Sequence, residues 1–429
     1  MADQGGIPVP RDPADPANTA HSPGGTTGTA APAAPPTRRR FPVRRDFVLL
    51  LVITFGAFVN YAVLLTVVPM WAVAGGSGAA GAGATTGVFM AVTVATQLAV
   101  PWLLRTAGYR WVLTGGTLLL GAPAAGYALS TALPVLIAVS AVRGVGFGLI
   151  TVAGAGLVPH LLPRWAHGRG AGLYGLAIGA PNLLALPLGV WATGRIGYTT
   201  LFWLLTAIPV AAALAAPAIR TGRTAEPVPA APPGVRRVAA LRPLAAPWVL
   251  LWTSAIIAGA LLTFLPIAVT GAAAGVVPVA LLAFSAGSAL SRWGAGVVTD
   301  RMGRPRTLPA AVLAGVLGAG GLAAATATGG GWPVAATEAA TVAGALAVGL
   351  GFGAVQNDTL VLMFASGSGY GLASAVWNTA FDAGTGTAAV AVGLVVAHLG
   401  YPAGFAACGA AALACLPLVL LTRKNLDSV

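Results

Sequence analysis

Four charged residues lie inside long apolar stretches of this sequence: Arg143, Arg292, Asp358 and Asp382. A charge at the centre of a lipid bilayer costs about 2.5–3.5 kcal/mol on insertion scales, so such residues usually face a partner or a water-filled space. Arg143 and Asp382 each fall about ten residues into an apolar stretch, which at about 1.5 Å per helical residue is roughly the midplane of a bilayer. A carboxyl group there can take up a proton, and a guanidinium there can pair with a carboxylate.

Each of these charges has two interpretations. Asp382 is the first candidate for a proton-binding group and Asp358 the second, but either could be a fixed structural partner instead. Arg143 and Arg292 could hold helices together through carboxylates or carbonyls, or they could bind the acid group of a ligand. The residues alone leave both interpretations open.

Uncharged polar and aromatic residues accompany the charges. Asn378 and Asp382 are four residues apart and share one face of a helix, which Trp377 and Phe381 flank. The candidate residues for lining a binding cavity are Asn60, Tyr61, Arg143, Asn182, Gln356, Asn357, Trp377, Asn378 and Phe381. The histidines of the apolar region have no second ligand at metal-binding spacing, so we expect no metal and no cofactor.

The composition indicates the kind of scaffold that must position these groups. Hydrophobic residues make up 57% of the 429 residues and charged residues only 8%, with a mean hydropathy of +0.85. A soluble domain has roughly 25% charged residues, so this chain is expected to be an all-α membrane protein. The net charge of +13 lies in short arginine clusters between apolar stretches, which favours anionic membrane lipid over nucleic acid as the partner.

The apolar stretches predict twelve transmembrane helices, because about 20 residues suffice to cross a bilayer core of roughly 30 Å. We place them at residues 47–73, 85–104, 111–130, 133–159, 172–194, 200–219, 248–270, 276–298, 308–328, 334–363, 372–397 and 402–421. The predicted organisation is a disordered tail (1–45), a six-helix bundle (46–219), a linker (220–247) and a second six-helix bundle (248–424).

The distribution of basic residues predicts the orientation. With both termini in the cytoplasm, all but three of the 23 lysines and arginines fall on the cytoplasmic side, the exceptions being Arg143, Arg195 and Arg292. We therefore expect a multi-pass protein of the inner membrane. The tail has no apolar core before a small-residue cleavage site, so it does not resemble a secretory signal.

An internal repeat relates the two bundles. GVGFG at residues 144–148 of the fourth predicted helix recurs as GLGFG at residues 349–353 of the tenth. The pair Gly197-Tyr198 is likewise echoed by Gly400-Tyr401. Each repeat has six helices, an even number, so the two halves have the same orientation in the membrane.

One loop carries a family resemblance. GVVTDRMGR at residues 296–304 is similar to the G-x-x-x-D-R-x-G-R loop of the major facilitator superfamily, and the first-half copy at residues 101–110 has Arg105 where that family has Asp. Arg143 and the glycines after it look like the family's arginine motif in helix 4, while residues 179–189 only partly match its antiporter motif. The resemblance covers about residues 46–424 and implies that structural or gating roles fall to Asp300, Arg301, Gly303, Arg304 and Arg292.

The resemblance implies a transporter that works by alternating access, with one half rocking against the other. We expect proton-coupled efflux of a small drug or metabolite, since no ATP-binding G-x-x-x-x-G-K-[ST] loop is present. We further expect the transporter to be a monomer and to come from a high-GC bacterium. The first alternative is uptake of an organic anion or nutrient by symport, with Arg143 or Arg292 as the carboxylate partner. A membrane-embedded lipid-modifying enzyme is the alternative of a different class, and the short, basic loops disfavour it.

Overall fold

The computed structural model describes residues 44–220, 241–327, 331–368 and 370–419, and these ranges are helical throughout apart from short turns. Residues 1–43 of the predicted tail and 221–240 of the predicted linker lie outside the described residues. The helices are α1 (Arg45–Ala74), α2 (Ala79–Gly121), α3 (Ala125–Leu129), α4 (Leu133–Leu161), α5 (His167–Ala215), α6 (Ala245–Ala268), α7 (Val277–Met302), α8 (Leu308–Ala327), α9 (Val334–Ala365), α10 (Tyr370–Thr387) and α11 (Gly393–Ala414). A turn of π-helix, Ala388–Val392, joins α10 to α11.

Three of these helices contain a sharp corner at a glycine. Gly108 in α2, Gly197 in α5 and Gly400 in α11 have φ of 76°, 76° and 82° with ψ of 163°, 164° and 170°. Only glycine adopts this backbone conformation readily. The described part of the chain holds nine helical stretches long and apolar enough to cross a membrane, and dividing three of them at these glycines gives twelve segments, the number predicted from hydropathy.

The packing shows that the chain reverses at Gly108. A β-carbon at Gly144 of α4 would lie 2.5 Å from the carbonyl oxygen of Phe89, and one at Gly146 would lie 2.6 Å from that of Gly116. Phe89 and Gly116 are on opposite sides of Gly108, so both arms of α2 lie beside the same turn of α4. Small residues at these crossings let the helices approach closely without side chains between them.

The second half repeats this packing residue for residue. A β-carbon at Gly349 of α9 would contact the carbonyl oxygen of Phe284, and one at Gly351 would lie 2.5 Å from that of Ala311. The two glycine contacts of the first half therefore recur in the second. The glycines on α9 lie 205 positions after those on α4, and their partners on α7 and α8 lie 195 positions after those on α2. The internal repeat predicted from the glycine motif is confirmed, and the fold is an all-helical membrane bundle of two related halves.

The two halves meet closely at one end of the molecule, here called the far face because it is opposite the chain ends at residues 44 and 419. A β-carbon at Gly83 of α2 would contact the carbonyl oxygen of Ala389, and one at Gly386 of α10 would lie 2.9 Å from Cβ of Met90. Closer to the surface, a β-carbon at Gly393 would lie 3.3 Å from the carbonyl oxygen of Ala79. These glycine contacts close the seam between the halves at the far face.

The halves are less tightly packed towards the terminal face, the end that carries residues 44, 220, 241 and 419. A β-carbon added at Gly172, Gly175 or Gly179 of α5 would have no neighbouring atom within 4 Å, and Asn378 on α10 is exposed. The close glycine contacts across the seam are thus found at the far face, and these residues of the terminal side form none like them.

Candidate functional site

Arg143 on α4 lies in the core of the first half and is only 3% exposed. Its Nε donates to the carbonyl oxygen of Leu120 (3.2 Å), its Nη1 to Oη of Tyr127 (3.2 Å) and its Nη2 to Oδ1 of Asn60 (2.9 Å). The guanidinium carbon also lies 5.3 Å from the centre of the Phe89 ring. All three hydrogen-bond acceptors are neutral, and together they occupy each nitrogen of the guanidinium.

The partners of Arg143 extend this network to the other helices of the first half. Nδ2 of Asn60 on α1 donates to the carbonyl oxygen of Leu205 on α5 (2.6 Å). Oη of Tyr127 on α3 lies 2.8 Å from Oγ of Ser140 on α4. A single buried arginine thus links five helices of the first half, which is the structural interpretation of Arg143.

A narrow cleft of about 250 Å³ lies beside this network on the side of the far face, a volume that includes the space at its mouth. Its lining includes Tyr61, Thr86 and Phe89 in addition to Arg143. The ring of Tyr61 stacks on Phe147, with centroids 4.1 Å apart and planes 9° apart. The Tyr61 hydroxyl is buried without a hydrogen-bond partner among the described residues. The predicted cavity residues Tyr61 and Arg143 therefore share one cleft.

Asp382 on α10 lies in the seam between the two halves. It is 4% exposed, and its Oδ2 accepts a hydrogen bond of 2.7 Å from Nε2 of Gln97 on α2. The same Nε2 lies 3.3 Å from Oγ1 of Thr151 on α4. Asp382 has no basic partner among the described residues, and Gln97 is its hydrogen-bond partner there. Its predicted alternative role as the mate of an arginine is therefore absent from this conformation.

Gln97 was not predicted as a site residue. It is an uncharged side chain in a long apolar stretch, and its partner Asp382 is 285 positions away, so nothing local marks it. The internal repeat holds the missing signal, because Gln97 is equivalent to Arg292 at the 195-position offset and Thr151 to Gln356 at the 205-position offset.

Arg292 on α7 has a very different environment from Arg143. The side chain is exposed where that of Arg143 is buried, and its Nη1 donates one hydrogen bond of 3.3 Å to Oε1 of Gln356. Its guanidinium carbon lies 5.7 Å from the centre of the Trp377 ring. Nε1 of Trp377 in turn donates to the carbonyl oxygen of Gln356 (3.1 Å). The structure thus brings Arg292, which was predicted to have a structural or gating role, into contact with the predicted cavity residues Gln356 and Trp377.

Aromatic rings continue from Trp377 into the second half. The rings of Trp377 and Phe381 are parallel to within 7°, with centroids 6.4 Å apart, and Phe381 lies 5.8 Å from Phe352. Two asparagines predicted to line the cavity bond only within their own helices among the described residues: Nδ2 of Asn378 donates to the carbonyl oxygen of Ser374, and that of Asn182 to Ile178.

Asp358 on α9 closes the beginning of a neighbouring helix. Its Oδ2 accepts a hydrogen bond of 2.6 Å from Oγ1 of Thr307, immediately before α8 starts at Leu308, and Oδ1 lies 3.3 Å from Nδ2 of Asn357. The backbone amides of Thr307 and Leu308 point at the same carboxylate. A carboxylate at a helix N-terminus satisfies free N–H groups and interacts favourably with the helix dipole.

The loop motif lies at the terminal face. Asp300 and Arg301 are exposed on the last turn of α7, and Gly303 ends that helix with φ of 68° and ψ of 1°. A left-handed glycine in this position is a common helix end. Arg304 follows it, half-buried. In the described ranges, no group of His, Cys, Asp and Glu side chains could hold a metal ion.

The comparison with known families agrees with this architecture. The family model described as Major Facilitator Superfamily matches residues 50–372. The chain belongs to the major facilitator superfamily. No curated protein matches the sequence.

Solved transporters of similar fold support the assignment to the major facilitator superfamily. A bacterial homologue of the human lysosomal transporter Spinster, in an inward-facing and occupied conformation, aligns with a TM-score of 0.66 at 12% identity, over 88% of this chain and 94% of the other. The nucleoside transporter NupG aligns with a TM-score of 0.65 at 13% identity, over 89% of this chain and 100% of the other. The protein is therefore a multi-pass membrane transporter of the major facilitator superfamily and not an enzyme.

Proposed function

We propose that this transporter exchanges protons for a small organic molecule by alternating access and exports a drug or metabolite across the inner membrane. In this proposal the terminal face is cytoplasmic, as the distribution of basic residues predicts. The conformation described above is then open to the cytoplasm and closed to the outside. The basic residues of the terminal face would contact anionic lipid headgroups, and the working unit would be the monomer.

The observation that carries the proposal is the hydrogen bond between Gln97 and Asp382. It joins the two halves at the inner end of the glycine-packed seam. A hydrogen bond to an ionised carboxylate is roughly twice as strong as one between neutral groups. Protonation of Asp382 would therefore weaken the hold of one half on the other at the far face.

This arrangement favours exchange over cotransport. In an exchanger the empty, deprotonated carrier must not change its orientation, because that step would let the proton gradient run down without substrate movement. In a symporter the empty carrier has to return. A charge-assisted bond that keeps the empty carrier closed at the far face supports the first of these cycles.

A second candidate function is uptake of an organic anion by symport. The observation that favours it is the exposed guanidinium of Arg292, which has no acidic partner in the described ranges, because an intramembrane cation without such a partner suits an acidic ligand. The direction in which an imposed proton gradient drives the substrate separates the two candidates.

Replacement of Asp382 by asparagine tests the proposal. Substrates are first found in inside-out vesicles with ethidium, chloramphenicol and salicylate, which are a cation, a neutral molecule and an acid. In reconstituted vesicles we expect Asp382→Asn to abolish both gradient-driven accumulation and substrate-induced proton movement. Exchange of labelled for unlabelled substrate should continue, because this process needs no net proton transfer.

Asp358→Asn is the matched control, since it removes a buried carboxylate that caps a helix. We expect it to lower the unfolding temperature while the protein that remains folded still couples substrate to protons. Gradient-driven accumulation by Asp382→Asn at the wild-type rate would show that coupling lies elsewhere. If Asp358→Asn loses coupling and Asp382→Asn keeps it, the proton-coupling role belongs to Asp358.

A further inference from the structure

The two membrane-embedded arginines differ in how many of their donors are used. Arg143 has an acceptor at each of its three guanidinium nitrogens and is buried. Arg292 is exposed, and Gln356 is its single hydrogen-bond partner in the described ranges. A guanidinium offers five N–H donors in a planar fork. Most N–H donors of Arg292 therefore have no hydrogen-bond acceptor in the described ranges.

None of the acidic side chains of the described ranges neutralises Arg292. Asp358 accepts from Thr307, and Asp382 accepts from Gln97. Gln356 is the single hydrogen-bond partner of Arg292 in the described ranges. An uncompensated charge in a transmembrane helix is costly unless it faces water or a ligand.

The position of Arg292 within the repeat puts it on the face of α7 that is equivalent to the face of α2 carrying Gln97. Its equivalent in the first half is Gln97, whose neighbour on α4, Thr151, is equivalent to Gln356. Gln97 extends across the seam to Asp382 on the other half. Arg292 keeps the bond to its own half, to Gln356, but has no such partner across the seam in the described ranges. This equivalence favours an Arg292 side chain that faces the space between the halves.

A flat aromatic surface lies beside the guanidinium of Arg292. The Trp377 ring is 5.7 Å from the guanidinium carbon of Arg292 and stacks in parallel with Phe381, and the exposed Asn378 follows Trp377 in sequence. Arginine forks bind carboxylates through two parallel hydrogen bonds, and aromatic side chains stack on planar apolar groups. A cation next to a run of rings fits a ligand that carries an acid group on an aromatic frame.

We propose that the substrate is a small aromatic organic acid, whose carboxylate binds the guanidinium of Arg292 while its ring packs against Trp377. This inference rests on the proposed transport function, but it concerns binding and not coupling. It names the substrate class for either direction of transport. Arg143 is a structural residue and takes no part in it.

Ligand binding to purified protein, without any proton gradient, tests the inference. The probes are benzoate, salicylate and 2-naphthoate, each compared with its neutral amide at constant pH and ionic strength. The readout is the shift in unfolding temperature across a concentration series, from which the dissociation constant follows. We expect at least one acid to stabilise the protein and its amide to bind about ten- to a hundredfold more weakly, because the amide lacks the charge-assisted pair.

Three variants assign the effect to this site. Arg292→Gln should bind the acid no better than its amide, whereas Arg292→Lys, which keeps the charge without the fork, should retain part of the preference. Arg195→Gln is the matched control, because Arg195 also lies over a tryptophan, Trp191 at 5.4 Å, but near the far-face corner at Gly197. It should bind as the wild type does. Unfolding temperatures measured without probe verify that each variant is folded.

The inference is overturned if acids and amides bind equally, if none of the acids binds, or if Arg292→Gln keeps the wild-type preference for acids. If Arg292→Gln does not fold, the ratio of acid to amide affinity in Arg292→Lys decides. A ratio equal to that of the wild type overturns the proposed two-bond contact between the guanidinium and the carboxylate. Failure of the proton-coupling proposal leaves this measurement unchanged. If the acids bind and Asp382→Asn still couples transport to protons, only the proposed coupling is rejected. If the acids do not bind and Asp382→Asn loses coupling, only the substrate class is rejected.

Discussion

Buried polar side chains in this transporter divide into those that complete the packing of one half and those that lie between the halves. Arg143 and Asn60 belong to the first group, because their hydrogen bonds run among helices of the same bundle. Gln97 and Asp382 belong to the second, because their hydrogen bond joins the two halves. The exposed Arg292 bonds to Gln356 of its own half and has no partner across the seam in the described ranges. The half to which each hydrogen-bond partner belongs therefore distinguishes the Arg143 network from the pair of Gln97 and Asp382.

The sequence predicted most of these residues but few of their pairings. Arg143, Asp382 and Asn60 stand out because a polar group in an apolar stretch is rare. The carbonyl oxygen that Asn60 contacts is 145 positions away, and Gln97 is an ordinary amide until α10 is placed beside it. Such contacts depend on helix register and rotation, which hydropathy does not encode.

The network around Arg143 predicts a stability effect at the residue scale. Asn60→Leu removes the acceptor of Arg143 Nη2 and the donor to the Leu205 carbonyl, and each buried group without a partner costs about 1–3 kcal/mol. We expect a clear fall in the unfolding temperature. Asn182→Leu is the control, because Asn182 donates only to Ile178 on its own helix in the described structure, and its effect should be much smaller. Equal effects would show that the Arg143 network does not stabilise the first half.

The helices of this fold are joined and packed by glycines in two different ways. At Gly108, Gly197 and Gly400, a positive φ breaks the helical backbone and separates two helical arms, and a tyrosine follows each glycine. At Gly83 and the glycines of α4 and α9, the absent side chain lets backbones touch. Hydropathy predicted twelve helices with loops around residues 108, 197 and 400, and the structure turns at a single glycine in each of these places.

Closure of the far face depends on one of these contacts, which gives a prediction for the elements. A valine at Gly83 would collide with the carbonyl of Ala389, so Gly83→Val should hold the far face open without disturbing either half. A cysteine at Thr86, buried in the cleft, should then react with an impermeant thiol reagent added outside, and transport should stop. Gly320→Val is the control, since no atom lies within 4 Å there. A cysteine at position 86 that stays protected in Gly83→Val would refute this assignment of the seam.

At the scale of the whole molecule, the repeat produces two similar bundles whose contacts with each other are unequal. Equivalent glycine contacts hold α2 to α4 and α7 to α9, yet within the described ranges Gln97 is bonded across the seam whereas Arg292 is not. The equivalent packing inside the two halves was predictable from the GxGxG motifs of α4 and α9. The asymmetry between the halves was not, because it depends on the conformation of the carrier as well as on its fold.

The distance between the halves at each face, measured with spin labels, tests most directly whether protonation of Asp382 controls closure. One pair replaces Ala74 and Leu399 at the far face, and the other Ala107 and Ala365 at the terminal face, in a protein with both native cysteines replaced. Relative to the wild type at neutral pH, Asp382→Asn should lengthen the far-face distance and shorten the terminal-face distance, and Gln97→Ala should do the same. Both variants have lost the charge-assisted bond across the seam, so their distance distributions should agree. Distributions identical to the wild type in both variants would contradict the proposed link between the proton and the seam.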